Sequence, residues 1–396
     1  MNCLLVQPNL NWTHFWCEAP STALLILGTL AQSKGHKVKL LHLDVDKVSI
    51  GDEIQSFKPD IVGVTVNTFE VKSAREVVKT TREISKDIKV VIGGPHACVW
   101  DDHDVNDVVV GEGENKWLEL LGETPDIKSI DDIPPIDYNL VDLRRFVGIG
   151  PTIGAVPSMC IMASRGCFGK CTFCNTPVFW GKKVRYRNPQ LVVDEVEHLH
   201  KFWGIKEIFF QDDTFNINHK WASEIFEGLI RKGLNKEMVF RITSRVNQKM
   251  VTKEYLDLAF KAGVWNIFYG IESGSQYMLD RMKKQVMVEE VRRAVELTKR
   301  AHITTTCSFI VGLPGESWAT IKETDQLINE IKPYQYGWCF ACPFPKTEFE
   351  WEVRQRGHIK ERDYGDYSYG MGIVRTDKLS YEELASFQGF SYNGGE

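Results

Sequence analysis

Cys167-Phe168-Gly169-Lys170-Cys171-Thr172-Phe173-Cys174 is the stretch from which this chain is best read. A strand-like run, Met159–Ser164, precedes it and an amphipathic stretch, Leu191–Trp203, follows, so the three thiols lie on a loop that leaves a strand. Thiolates are the usual protein ligands of iron–sulfur clusters, and three of them around a 4Fe-4S cube leave one iron open. An open iron is a catalytic feature. Structural zinc is the competing reading, but it needs four closed ligands, a second CxxC pair is missing, and Cys160 would have to serve as the fourth.

Beyond the cysteines the chain alternates strand and helix. Strands are expected at Met159–Ser164, Glu207–Gln211, Val239–Thr243, Asn266–Gly270, Thr305–Val311 and Tyr336–Cys342, with helical stretches such as Trp221–Lys232 between them. Six such units predict an open, partial barrel, and barrels of this kind place chemistry at the carboxyl ends of their strands. Those ends are polar or glycine-rich: Gln211-Asp212-Asp213, Arg241-Ile242-Thr243-Ser244-Arg245, Gly270-Ile271-Glu272-Ser273 and Ile310-Val311-Gly312-Leu313. Each has a plainer explanation, such as helix capping by Asp213 or Thr214 or a surface ion pair for an arginine. Phe173, Phe179, Trp180, Phe215, Trp338 and Phe340 can wall a cavity or simply fill the core.

The cysteine spacing, followed in this order by these strand ends, resembles the radical S-adenosylmethionine (radical SAM) superfamily over roughly residues 158–345. The resemblance implies that Cys167, Cys171 and Cys174 hold a 4Fe-4S cluster whose open iron chelates S-adenosylmethionine (SAM). It also implies SAM contacts from Phe173, Gln211, Asp212, Asp213, Ser244, Arg245, Glu272, Ser273, Ile310, Val311, Gly312 and Leu313. Asp212 and its neighbours would accept from the SAM ammonium, Arg245 would pair with its carboxylate, Glu272 would bind the ribose, and the Gly312 turn would meet the adenine.

Residues 1–122 alternate too: strands at Cys3–Gln7, Lys37–Leu43, Ile61–Val66, Lys89–Gly93 and Asp107–Val110, helices at Ala23–Lys34, Ile50–Phe57, Val71–Ser85 and Asn115–Leu121. This predicts a parallel, Rossmann-like α/β sheet that binds its ligand beyond the carboxyl ends of the strands. The runs Pro59–Thr65, Val91–His96 and Val110–Glu114 resemble the cobalamin-binding domain that begins one class (class B) of radical SAM enzymes. That resemblance implies cobalamin contacts from Thr65, Asn67, Thr68, Gly93, Gly94, Pro95, His96, Gly111, Glu112, Gly113 and Glu114. One departure is plain: the Asp-x-His-x-x-Gly motif of cobalamin mutases is absent after the first strand, so no histidine of that motif ligates the cobalt. Asp101-Asp102-His103-Asp104 sits after the fourth strand and lacks the glycine. Cobalamin beside a radical SAM centre implies methylation of an unactivated carbon. The alternative is a radical SAM cyclase, rearrangement or oxidation enzyme with cobalamin in another role or absent. A closed electron-transfer module would want a fourth cysteine and has no use for these strand ends.

The rest of the chain is read from composition. Proline-rich residues 123–157 predict a linker, and 346–396 a C-terminal region that caps the site, in which Asp363, Tyr364, Tyr367 and Tyr369 either hydrogen-bond a polar substrate or merely decorate a loop, with a Leu379–Gly389 helix capped by Ser380. A formal net charge of −5 argues against a nucleic-acid-binding face. The N-terminus shows no charged leader and no apolar run is long enough to span a bilayer, so a cytoplasmic protein with reduced thiols is expected. The resemblance adds an external reductant such as ferredoxin or flavodoxin. The short C-terminal extension suits a peptide or protein segment as substrate.

Overall fold

The computed structural model describes residues 1–10, 19–146, 153–360, 362–368, 370 and 372–387. The chain divides into two units, one holding Met1–Gly148 with Val178–Trp180 and Arg362–Tyr367, the other holding Ile149–Pro177, Gly181–Glu361 and Ser368–Glu396.

In the first unit, apolar runs rich in β-branched residues form strands buried on both faces. The elements are β1 (Asn2–Gln7), α1 (Thr22–Ser33), β2 (Lys37–His42), α2 (Leu43–Asp46), α3 (Ile50–Phe57), β3 (Ile61–Thr65), α4 (Val71–Ile84), β4 (Lys89–Gly93), β5 (Asp107–Val108) and α5 (Glu114–Leu120). The strands pair in parallel in the order β2-β1-β3-β4-β5. All five residues of β3 are buried, as a strand covered by helices on both faces requires. Helix α4 carries Val71, Ala74, Val77, Val78 and Thr81 on one face at helical spacing, and its valines pack on Val62, Val64, Val90 and Ile92. Burying each such aliphatic side chain stabilises the unit by roughly 1.5–3 kcal/mol.

Residues 123–146, within the expected linker, form an ordered strap packed on the first unit. Ile127, Ile133 and Ile136 pack against Ile26, Leu30 and Leu118, and the Asp137 amide donates to Thr29 Oγ1 at 2.9 Å. Its prolines keep the strap extended while the isoleucines give it something to bury. Pro151 lies outside the described residues.

The second unit contains β6 (Ser158–Ile161), β7 (Ser164–Arg165), α6 (Thr176–Trp180, whose last three residues cluster with the first unit), β8 (Arg185–Tyr186), α7 (Pro189–Trp203), β9 (Glu207–Phe210), α8 (His219–Arg231) and β10 (Val239–Ser244). It continues with α9 (Lys253–Lys261), β11 (Val264–Glu272), α10 (Gln276–Arg281), α11 (Val288–Arg300), β12 (Thr304–Val311), α12 (Trp318–Ile331), β13 (Gln335–Phe340), α13 (Glu348–Gln355) and α14 (Tyr381–Ala385). Six strands pair in parallel in the order β13-β12-β11-β10-β9-β6, the curled, open half-barrel that the βα alternation predicts.

The expected strand Met159–Ser164 is in fact two. It breaks after Ile161, and Ser164–Arg165 turns aside to pair antiparallel with Arg185–Tyr186. The break follows from the buried Asp212 carboxylate, which draws in the Ala163 amide and the Ser164 hydroxyl. The C-terminal helix is shorter than expected, and residues 388–389 lie outside the described residues. Phe215, Trp338 and Phe340 are core residues rather than cavity walls: Phe215 packs on Phe210 and Phe226, and the other two meet Phe387.

Candidate active site

The β7–β8 pair closes the cysteine segment into a hairpin-bounded loop, residues 166–184. Cys167 and Cys171 point to one place. A side chain on Gly169 would begin 3.3 Å from Cys167 Sγ and 3.8 Å from Cys171 Sγ, so glycine here keeps the space between the sulfurs free. Cys174 shares that neighbourhood: burial raises its thiol pKa, and the charges of Cys171 and Cys167 push the same way. Among the described residues no three His, Cys, Asp or Glu form a ready-made site for a single ion. Three thiols around a space kept clear by glycine do fit a cluster that binds them as thiolates. Cys160 lies within β6, in the sheet and not on the loop.

The loop is braced from below. Asp212 is 2 % exposed; burial lifts its carboxyl to about pKa 7, against the bonds it accepts from Ser164 Oγ (2.5 Å) and the Ala163 amide. Asp213, more exposed, accepts from the Gly166 amide at 3.0 Å and Thr176 Oγ1 at 2.8 Å. Asp213 therefore ties together the two sides of the cysteine run, and Asp212 fixes the strand that leads into it. Thr172 is clamped by its backbone: its amide donates to Met282 O at 3.0 Å and its carbonyl accepts from the Phe349 amide at 2.9 Å.

Arg245, just beyond β10, is 5 % exposed, and its Nη1 lies 3.1 Å from where a Gly169 side chain would begin, beside the cysteine sulfurs. Its Nε donates to Asn247 Oδ1 at 2.9 Å, Nη2 donates to Lys284 O, and its plane faces the Phe168 ring at 5.4 Å. Arg241, four residues earlier, is elsewhere. It pairs with Glu207 at 3.0 Å toward the amino ends of β10 and β9, where Trp265 Nε1 also donates to Glu207. A strand advances about 3.3 Å per residue, so the two guanidiniums sit near opposite ends of the half-barrel.

Glu272 ends β11 with φ +73°, a left-handed conformation costing a non-glycine residue about 1–2 kcal/mol. The β11–β12 register shifts at this point, which turns the carboxylate toward Lys284 Nζ (2.7 Å) and within 3.5 Å of Ser308 Oγ. Both partners of the ion pair are under a tenth exposed. Lys284 is a site residue that sequence reading missed. It sits in the turn after α10, where Lys283 and Gln285 also have positive φ, and no local motif links it to Glu272.

The remaining predicted contacts spread out. Ile310 and Phe173 are half-buried and Gln211 is exposed. Ser273 bonds Thr324 on α12 at 3.1 Å, and Val311 and Leu313 are buried. Ser244 is buried at the end of β10, and Gly312 turns with φ +95°. Glu316, also missed, stabilises that turn by accepting from the Gly312 backbone; burial raises it to about pKa 7.

In the first unit the predicted ligand residues lie at or just beyond the carboxyl ends of β3, β4 and β5. Gly94 has φ +92°, and a side chain there would begin 2.8 Å from the Val66 amide and 2.8 Å from Thr65 Oγ1. Only glycine lets β3 and β4 approach this closely. Space beside Gly93 is open. His96 is buried, its Nδ1 3.3 Å from Thr68 Oγ1 and its ring edge-on to Tyr364. Asp363 pairs with Arg75 at 2.6 Å, which makes the Asp363–Tyr364 segment part of this unit's packing; the Tyr367 ring meets that of Tyr364 at a tilt of 59°, and Tyr369 lies outside the described residues. Gly111 turns with φ +86°, Glu112 is exposed, Gly113 half-buried and Glu114 buried, while Pro95 opens a 3-10 turn. Glu70 is the residue missed here, although Asn67-x-x-Glu70 has capping-box spacing. Its carboxylate accepts from Gln7 Nε2, Asn67 N and Asn67 Nδ2, joining the carboxyl ends of β1 and β3. Beside Gly93 and Gly94 the edge is lined by backbone and small residues, a lining that fits a broad, flat ligand such as a corrin.

The sequence matches the family model of the radical SAM superfamily over residues 161–328 and that of the B12 binding domain over residues 17–121. It is 28 % identical to an anaerobic magnesium-protoporphyrin IX monomethyl ester cyclase of Cereibacter sphaeroides, over 92 % of this chain and 65 % of that one. The chain thus spans just under two thirds of that relative's length. It is 29 % identical to an uncharacterized methyltransferase of Pyrococcus horikoshii, over 84 % of this chain and 78 % of that one. Among solved structures, the radical SAM methyltransferase TsrM from Kitasatospora setae, with cobalamin and a 4Fe-4S cluster bound, superposes with TM-score 0.72 at 21 % identity, over 91 % of this chain and 76 % of TsrM. That likeness is one of fold. Among the described residues no helix is long and apolar enough to cross a membrane. With both family domains present in one chain, the protein belongs to the radical SAM enzymes that carry an N-terminal B12-binding domain, and its cofactors are a 4Fe-4S cluster, SAM and cobalamin.

Proposed function

We propose that this enzyme methylates an unactivated carbon of its substrate. The observation that carries the reading is the joint presence of the three-cysteine loop, with Arg245 beside it, and a glycine-lined sheet edge in a unit of the B12-binding type. When bound, the three cofactors supply a hydrogen-abstracting radical and a transferable methyl group. The chain's own residues bind and orient. Cys167, Cys171 and Cys174 would hold the cluster, and Asp212, Asp213 and Thr172 fix the loop that carries them. Arg245, held by Asn247 and Lys284, would face the SAM carboxylate, and Glu272, held by Lys284, the ribose hydroxyls. Ile310 and the Gly312 turn would border the adenine. Thr65, Asn67, Thr68, residues 93–96 and 111–114 would line the corrin and its tail. Methylation also fits the methyltransferase relative.

Cyclisation or oxidation is the second reading, and the cyclase relative, alike over nearly the whole chain, favours it. Product analysis separates the two. The enzyme is supplied with SAM, cobalamin and reductant, and assayed with the ester named for the cyclase relative and with candidate peptides. Methyl transfer yields S-adenosylhomocysteine and deoxyadenosine in equal amounts with the methylated product. Deoxyadenosine without S-adenosylhomocysteine, on a substrate that is converted, transfers the assignment to the second reading.

A further inference from the structure

The loop that carries the cysteines shows solvent an unusual surface. Phe168, next to Cys167, is 40 % exposed and lies over the Arg245 guanidinium, which borders the space between the sulfurs. Lys170 on the outgoing arm is exposed, as are Lys182 and Lys183 on the returning arm. The two arms touch: a side chain on Gly166 would begin 2.7 Å from Lys183 O, and Arg165 pairs with Arg185 immediately below. None of the three lysines forms an ion pair or hydrogen bond with a described residue. On the neighbouring helices, by contrast, Lys201 and Lys232 both pair with Glu197. Unpaired cations on both arms of a loop that also exposes an aromatic ring, on a chain of net charge −5, form a local field of the opposite sign to the whole.

From this we infer that the Phe168–Lys170–Lys182–Lys183 face is the docking surface for an acidic, one-electron carrier protein. The inference rests on the reading of Cys167, Cys171 and Cys174 as cluster ligands. The step is a single electron transfer: the reduced carrier loses one electron, the oxidised cluster gains it, and no bond or proton moves. Electron transfer slows steeply with distance, so a carrier must sit against the part of the surface nearest the cysteines, and this loop is that part. Carboxylates on the carrier would meet the lysines, and a flat apolar patch would meet Phe168.

The test uses whole, cofactor-loaded enzyme and the variant Lys170→Glu/Lys182→Glu/Lys183→Glu, with Lys→Gln at the same positions in case the charge reversal fails to fold. Stopped-flow bleaching of the visible cluster absorption measures the reduction rate with two donors, reduced acidic flavodoxin and reduced methyl viologen, a small cation. With flavodoxin at low salt the reversal is expected to slow reduction by about ten-fold or more, the Gln variant by less, and the gap should close as salt is raised. Reduction by viologen should be unchanged or faster. Equal flavodoxin rates in variant and wild type overturn the inference, as does an equal loss with both donors. Retention of an RNA by wild type but not by the variant, with flavodoxin rates unchanged, also overturns it in favour of a polyanion site. If wild-type protein shows no cluster absorption at all, it is the reading of the cysteines that fails, a separable result.

Discussion

Glu70→Gln separates the cost of burying a carboxylate at the carboxyl edge of the first sheet from what its hydrogen bonds return. Glu70 is 1 % exposed; one oxygen accepts from Gln7 Nε2 at 2.5 Å and the other from Asn67 N at 2.8 Å and Asn67 Nδ2 at 3.1 Å. Burial nevertheless pushes its pKa from the usual 4.5 up to about 7. A carboxyl with a folded pKa above its unfolded one keeps its proton longer in the folded chain. It therefore costs no stability below about pH 4.5, and the cost grows with pH until about pH 7. At about 1.4 kcal/mol per pKa unit, the full penalty is roughly 3 kcal/mol. Glutamine removes the titration but exchanges one acceptor for a donor. Its oxygen can take both Asn67 donors, and its amide nitrogen is satisfied if Gln7 turns its own amide over, at a loss below about 1 kcal/mol. The variant should thus resist local opening by about 2–3 kcal/mol more than wild type near pH 8 and equal it near pH 5. Hydrogen exchange read by mass spectrometry on peptides spanning β1 and β3, corrected for intrinsic rates, reports this locally, as a two-unit chain requires. A wild-type opening energy that is flat between about pH 5 and 8, or a variant with the same slope, refutes the reasoning. Lower stability of the variant at every pH would show that the carboxylate's bonds outweigh its burial.

Three further outcomes are expected. Replacing Cys167, Cys171 or Cys174 by Ala should remove bound iron and deoxyadenosine formation, whereas Cys160→Ala should keep both; iron analysis and product chromatography decide. Gly94→Ala drives a methyl into the Val66 backbone at a positive φ, so hydroxocobalamin titration should show at least about ten-fold weaker binding, and wild-type affinity would remove Gly94 from the proposed site. Lys284→Met leaves the buried Glu272 without its cation, a loss of about 3–5 kcal/mol in the opening energy of β11, and adding Glu272→Gln should restore most of it. A double variant as weak as the single one would show that Lys284 acts through packing alone.

Much of this protein could be read without coordinates because the signals are local. The spacing of Cys167, Cys171 and Cys174 states a donor set, and runs such as Ile61–Thr65 and Lys89–Gly93 must be strands because their apolar, β-branched side chains need cover on both faces. The βα alternation then leaves few topologies, and the half-barrel and the five-stranded sheet are among them. Tertiary structure decided how the polar residues at the strand ends are used. Asp212, Asp213 and Arg241 looked like Arg245 and Glu272 in the sequence, but parallel pairing sets Asp212 against the Ala163 amide and Arg241 against Glu207, while Asp213 reaches Gly166 and Thr176 on the cysteine loop. Lys284 acquired a role only because a bulge and a left-handed residue swing Glu272 onto it from twelve residues away. A sequence fixes which donors and acceptors exist; which of them remain for a ligand depends on the neighbours that folding brings within hydrogen-bond reach.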